Sequence, residues 1–508
     1  MKSRLLLALC MTACALPTQA ADTLRRADER FAAESAKEVP DFRRHVIPLA
    51  GRLGCNGRAC HGSFQGQGGF RLSLFGYELK SDHEALTGGD KPRANINDPV
   101  ASLMLQKPTM TVEYGGGDVI QPDGWEYRLL LRWIEGGAKP SDEDLEFERL
   151  EVTPAEIVFD KAGATVQLKV VVHWSDGSSE DVTPLTRFRT NDESRATISD
   201  SGLVTSVGAG DTHIVAFYDN GVVPVQTILP VSDKVGPNYP VVATPTKIDE
   251  LVAAKLRKLG IVPSDLCTDA EFLRRATLDV TGTLPTTEEV EKFLADKSLN
   301  KRSKKIDELL ERPGYAAWWT TKLCDVMGNN EQNVGVAPFS RQMSEQWYDW
   351  IYDRVRDNVA YDELIAGVVT ATSRNPGQSY EDYCVEMTSY FRKKEPADFT
   401  ARETMPYFWG RRVIRQPEEK ALSFSYAFLG VRLECAQCHK HPFDQWTQQD
   451  FKQFTAFFNN VSYAYDGDAR TQAREMEEKL GLRGKPGNEL RRMQSELVAE
   501  GTTVPWQE

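Results

Sequence analysis

Cys435-Ala436-Gln437-Cys438-His439 sets two thiols three positions apart and follows the second directly with an imidazole. A covalently attached haem asks for that set: two thiols to form thioethers along one porphyrin edge, and an adjacent histidine to reach the iron from one face. With nine cysteines and seven histidines in 508 residues, such a pattern arises by chance about 0.002 times per chain. Two other readings compete for the same residues. One is a zinc site, which gains His441 through the spacing Cys-x2-Cys-His-x-His; the other is a strained disulfide. A histidine two residues beyond the iron ligand is badly placed to cross to the opposite haem face, so His441 reads as a supporting or surface residue. The aromatic run Phe443, Trp446, Phe451, Phe454, Phe457 and Phe458 serves equally as a porphyrin cover or as plain helix core.

A looser version of the pattern lies near the other end of the chain, in Cys55-Asn56-Gly57-Arg58-Ala59-Cys60-His61. Here the loop between the thiols must bulge by two residues, and Gly57 offers the backbone freedom. Val46, Leu49 and Leu53 have the helical spacing of a segment that delivers Cys55. Gly62, Gly66, Gly68 and Gly69 form a close-turning loop before Phe70 and Leu72, which read as buried. Trp125 to Ile134 is an amphipathic helix closed by Gly136-Gly137. A short helix before the attachment and another at the domain end would enclose a cofactor.

Residues 1–20 read as an export signal, with Lys2 and Arg4 ahead of the apolar stretch Leu5 to Ala15 and a small-residue cut near Ala20. Lipid attachment at Cys14 is the alternative. No later stretch approaches the roughly 18 apolar residues of a membrane span. The expected location is therefore periplasmic or cell-surface. Composition is that of globular protein, 41% hydrophobic and 27% charged, and the length calls for several domains. A net charge of −13 leaves no broad basic field to gather phosphates, which speaks against nucleic acid as a partner.

The expected architecture is multidomain. An α-helical cytochrome c-like domain spans 21–145. An all-β immunoglobulin-like sandwich spans 146–232, with strands at Val166 to Val172, Ala196 to Ile198 and Ile214 to Phe217. A linker over 233–246 leads to a mostly α-helical domain over 247–460, which carries the Cys-x-x-Cys-His motif. A charged helical tail covers 461–508, with helices at Ala469 to Leu482 and Asn488 to Ala499. Its end, Thr503 to Glu508, closes no obvious core. Cys267, Cys324 and Cys384 have no motif spacing and read as buried thiols or one disulfide. His173 reads as a strand-surface residue.

Several stretches resemble known families. Cys55 to Gly62, Gly68-Gly69-Phe70-Arg71-Leu72-Ser73-Leu74, Lys107-Pro108-Thr109 and Gly115-Gly116-Gly117 look like the planctomycete-type cytochrome c domain. Arg275 to Pro285 and Cys435 to Trp446 resemble the second cytochrome-associated domain that accompanies it. Val172 to Ser178 and Gly202 to Thr205 look like bacterial group 2 immunoglobulin-like domains. The first two resemblances span most of 40–145 and 246–460, and they imply haem binding in a secreted protein. Family members commonly continue into a further large domain, so the chain reads as a short member or an incomplete one. They also commonly carry histidine just before the triple glycine, where this chain has Tyr114, so that ligand does not carry over.

The sequence thus leads to two covalent haems, one on Cys55, Cys60 and His61 and one on Cys435, Cys438 and His439. His61 and His439 would be iron ligands, and Met110 the expected sixth ligand at the first site, because a thioether in a loop ahead of the terminal helix is the usual arrangement in small cytochromes, where sulfur raises the potential of the iron. Met104, His83, Tyr114 or an open position are the alternatives. The expected function is electron transfer to a redox partner protein. An extracellular haem oxidoreductase acting on polysaccharide is the second reading. The third is a surface protein whose β-sandwich contacts the cell surface or polysaccharide, with haem accessory.

Overall fold

The structure, a computed structural model, describes residues 23–508 apart from 63, 64, 143, 336, 337, 439, 440, 442, 443 and 466. The signal reading of residues 1–20 and the ligand His439 lie outside the described residues. The chain divides into two compact units. The first comprises residues through Pro263 together with Cys438–Thr447, and the second Ser264–Gln437 with Gln448–Glu508.

The first unit opens with helices α1 (Ala27–Arg30), α2 (Ile47–Arg52), α3 (Leu79–Thr87), α4 (Leu103–Gln106) and α5 (Trp125–Glu135). A π-helical turn over Phe42–Val46 runs directly into α2, and Asp41 starts it by accepting from the Arg44 amide at 2.7 Å. α5 buries Leu129, Leu130, Trp133 and Ile134, the stripe its 3.6-residue period dictates.

Ten strands follow: β1 (Phe147–Thr153), β2 (Glu156–Val158), β3 (Thr165–Gln167), β4 (Lys169–Trp174), β5 (Ser179–Asp181), β6 (Arg187–Thr190), β7 (Ala196–Ile198), β8 (Leu203–Ser206), β9 (Gly210–Tyr218) and β10 (Gly221–Leu229). They form sheets of order β1-β4-β5, β2-β10-β9-β6 and β3-β8-β7, with β2 running parallel to β10 and the other pairs antiparallel. Along β4 the alternation is strict, with Val170, Val172 and Trp174 buried between half-exposed or exposed neighbours. His173 sits on the other face, 3.2 Å from Glu151. Helix α6 (Lys247–Leu259), opened by a Thr246–Asp249 capping box, groups with this unit, and Lys255 and Lys258 pair with Asp211 and Glu156 of the sandwich.

The helical and β parts of the first unit share one apolar core, and a set of charges pins them together. Glu180 of β5 is fully buried and takes a hydrogen bond from Nε2 of buried His45 at 3.0 Å and an ion pair from Arg30. His45 Nδ1 accepts the Asp41 amide at 2.8 Å, which leaves the ring proton on Nε2. Arg43 pairs with Asp219 at 2.8 Å and Arg44 with Asp176 at 2.6 Å, and both guanidinium groups lie over the Trp174 ring.

The second unit is helical: α7 (Asp269–Thr281), α8 (Thr287–Ala295), α9 (Lys301–Leu310), α10 (Pro313–Met327), α11 (Ser340–Arg356), α12 (Tyr361–Val369), α13 (Tyr380–Phe391), α14 (Pro417–Phe424), α15 (Gln448–Ala456), α16 (Gly467–Lys479) and α17 (Gly487–Ala499). Capping boxes at Thr268–Glu271 and Thr286–Glu289 start α7 and α8. Cys267, Cys324 and Cys384 are free thiols, the last two buried. The chain end differs from expectation. Val504 and Trp506 are buried, Trp506 stacks on Phe391 at 4.7 Å, and Tyr380 and Tyr383 donate to the carbonyls of Trp506 and Gln507. The segment closes a core whose other half lies more than a hundred residues earlier in the chain.

Burial by itself would raise the Glu180 carboxyl, but His45 and Arg30 outweigh it and hold the group below its ordinary 4.5. The stabilisation this provides is complete above 4.5 and is lost as pH falls through the folded-state value. Glu180→Gln should therefore lower stability at pH 7 by about 3 kcal/mol, with Glu38 still available to Arg30. In thermal melts the gap to the native chain should narrow as the pH drops below the carboxylate range. Superimposable melts at pH 7 would show that the charge cluster contributes nothing.

Candidate functional site

The loop that carries the first thiol pair is folded on itself by its own backbone. After α2 the chain turns at Gly54, and the Cys55 amide reaches back to the Ala50 carbonyl at 2.8 Å. The amides of Cys60 and Gly62 both meet the Gly57 carbonyl at 3.0 Å, and that of His61 the Cys55 carbonyl at 2.9 Å. Gly62 is required here, since a Cβ at this position would stand 2.0 Å from the Asn56 carbonyl oxygen. Asn56 is fully buried at the centre of the loop, and neither atom of its side-chain amide has a hydrogen-bond partner. Arg52 anchors α2 to α5 through Glu126 at 2.7 Å.

Cys55 and His61 face one apolar cleft of about 770 Å³, including the space open to solvent, whose walls include Leu49, Leu53, Leu72, Leu130 and Met104. The His61 Nδ1 lies 3.2 Å from the Phe70 carbonyl oxygen. A carbonyl can only accept, so Nδ1 carries the proton and Nε2 keeps its lone pair. Burial, with Lys107 and Arg93 nearby, pulls the His61 pKa below its ordinary value and favours the neutral ring. Cys60 Sγ is 3.4 Å from the Tyr114 hydroxyl, and the Tyr114 ring lies 6.5 Å from that of His61 and nearly parallel to it. Burial, then the contact with Cys60, raises the Tyr114 phenol. Chemically the cleft offers the Cys55 thiol and an imidazole nitrogen beside an apolar wall, and the second thiol, Cys60, lies against Tyr114, one of the residues that line it.

The other expected residues fall elsewhere. Met110 is 45% exposed on a left-handed turn (φ 55°) and does not line the cleft, whereas Met104 does. His83 is hydrogen-bonded to the Ala138 carbonyl at 2.7 Å and packs against Phe42 and Trp133. Phe70 is half-buried and Leu72 buried. At the second motif Cys435 is half-buried on a 3₁₀ turn (Glu434–Gln437), Cys438 is exposed, and the His441 amide meets the Trp446 carbonyl at 2.8 Å. Among the described residues no group of three or more His, Cys, Asp or Glu side chains is placed to hold a metal ion. The Phe70 carbonyl and buried Asn56 have no signal in the sequence. Tyr114 stands out there only as a departure from a pattern.

Residues 247–463 match the PSCyt2 family, described as a protein of unknown function (DUF1549), and residues 146–227 match the bacterial Ig-like domain (group 2). The β part of the first unit is thus an Ig-like domain, a type typical of extracellular proteins. No curated protein matches the chain. No helix among the described residues is long and apolar enough to cross a membrane.

Burial pushes the Cys55 thiol up to about 11. In reduced protein free of any attached cofactor, iodoacetamide at pH 8 should label exposed Cys438 quickly and leave Cys55 unmodified until the pH nears 11. Peptide mapping that finds Cys55 alkylated as fast as Cys438 would contradict the buried geometry.

Proposed function

We propose that the protein is an exported c-type cytochrome that carries covalent haem and transfers electrons to a redox partner protein. The observation that carries this reading is the pairing of Cys55 with His61 in one apolar cleft while the Phe70 carbonyl holds the His61 Nδ1 proton, leaving Nε2 as the basic nitrogen. Cys55 and Cys60 would supply the thioether sulfurs and His61 the iron ligand. Haem bound there would supply one-electron redox chemistry at a potential set by its axial ligands and by burial. The apolar walls would face the porphyrin, and the neutral His61 ring is the form that can ligate. Met104 rather than Met110 would be the methionine able to ligate the iron, since it is the one on the cleft wall.

Cys435, Cys438 and His439 would hold a second haem. The leader at 1–20 and the Ig-like domain both agree with a periplasmic or cell-surface location.

Full-length protein exported together with c-type haem maturation machinery should be red, and should keep two haems per chain through denaturation when counted as the pyridine complex. Cys55→Ala with Cys60→Ala should leave one, as should Cys435→Ala with Cys438→Ala. A native haem count in either double variant would reject that site, and one zinc per chain in place of the second haem would convert the second motif to a zinc site. Met104→Ala should abolish the near-infrared sulfur-to-iron band of the ferric protein and lower its midpoint potential, while Met110→Ala leaves both in place. The reverse pattern would return the ligand to Met110.

A further inference from the structure

The helical unit contains a cleft of about 1310 Å³, including the space open to solvent, whose charge is of one sign. Arg411, Arg412, Arg415, Lys420 and Arg491 line it, and no Asp or Glu among the described residues does. This occurs in a chain whose acidic residues outnumber its basic ones, 74 against 61. None of the five makes an ion pair among the described residues.

Two of them are buried. Lys420, 6% exposed, donates its ammonium protons to the carbonyls of Val461 and Arg415 at 2.6 and 3.0 Å. Arg411, 7% exposed, donates to the Phe408 carbonyl at 3.0 Å and to the Ser423 hydroxyl. The oxygens that accept from both groups are neutral and neither cation has an ion-pair partner among the described residues, which costs free energy in a desolvated setting. Burial alone pulls Arg411 down to about 10, so it stays protonated at neutral pH. The nearest acid in sequence, Glu419, is turned to the backbone amides of Arg415 and Gln416 as a helix cap. Arg415 and Arg491 are exposed, and their guanidinium groups have no partner among the described residues. Trp409 and Tyr463 add aromatic surface to the same cleft.

We infer that this cleft binds an oxyanion, a sulfate, phosphate or carboxylate group, held between the buried pair Arg411 and Lys420 and the exposed arginines Arg415 and Arg491. Planar guanidinium forks suit oxyanions, and the cations are already in place, so binding needs no ion pair to break. The group can be a free ion or be carried on a saccharide whose ring faces rest on Trp409 and Tyr463. The inference is independent of haem content.

Calorimetric titration of the full chain with inorganic sulfate, inorganic phosphate and a sulfated oligosaccharide of defined length tests it. One saturable site per chain is expected, weakening as salt rises. Arg415→Gln with Arg491→Gln should weaken it about tenfold, the scale of removing one or two charge-assisted hydrogen bonds. Lys247→Gln with Arg341→Gln removes the same charge from exposed positions elsewhere and should leave the affinity unchanged. Binding of the inorganic ions as tight as that of the oligosaccharide identifies a free-anion site, and binding of the oligosaccharide alone identifies a site for chain-borne sulfate. No saturable binding of any of the three probes, or equal weakening in both double variants, would overturn the inference.

Discussion

A carboxylate buried inside a β-sandwich is the constraint on which the first unit depends. Moving an ion such as Glu180 out of water costs several kcal/mol, and only partners delivered with good geometry offset it. Here both partners, His45 and Arg30, come from the helical segment that precedes the sandwich. The helical part therefore cannot slide over β5 without stranding a charge. Apolar packing across the same boundary supplies free energy but little direction, whereas the hydrogen bond to His45 fixes one orientation of the turn Phe42–Val46.

That orientation propagates along the chain. The turn runs without interruption into α2, whose last turn sets the Cys55 amide on the Ala50 carbonyl. The loop from Cys55 to Gly62 then closes through bonds to the Gly57 carbonyl, and the His61 carbonyl accepts the Leu72 amide at 2.9 Å. By this route the imidazole meets the Phe70 carbonyl with its other nitrogen free. The placement of the thiols and the histidine is thus a consequence of local backbone closure on a scaffold fixed by buried charge.

What is legible in the sequence is the information carried by local spacing. The thiol–imidazole pattern, the helix at Trp125 and the alternation of β4 all depend on neighbours within a few positions. The helix appears near its expected bounds, whereas the strand expected over Val166 to Val172 is divided at Leu168 into β3 and β4, which belong to different sheets. Residues whose role depends on distant contacts are not legible. Met104 sits between two leucines and Met110 between two threonines, yet which of them lines the cleft is decided by the fold, with Met104 on α4 and Met110 on a left-handed turn. Trp506 reads as an unsupported tail residue because Phe391 and Phe339, against which it packs, lie far back in the chain. Glu180 carries no signal in the sequence because its partners precede it by more than a hundred positions.

The order in which the polypeptide is made bears on the segment Cys438–Thr447, which groups with the first unit although the chain has by then completed most of the second. A unit whose pieces are separated by some 170 residues of intervening chain cannot be complete until that last piece has emerged, so its closing step has a large loop to pay for in entropy. For a polypeptide that crosses a membrane before folding, that delay would leave the first unit incomplete until Cys438–Thr447 has crossed. Cutting the gene between the two units at a single point would likewise yield a first half that lacks one of its own pieces.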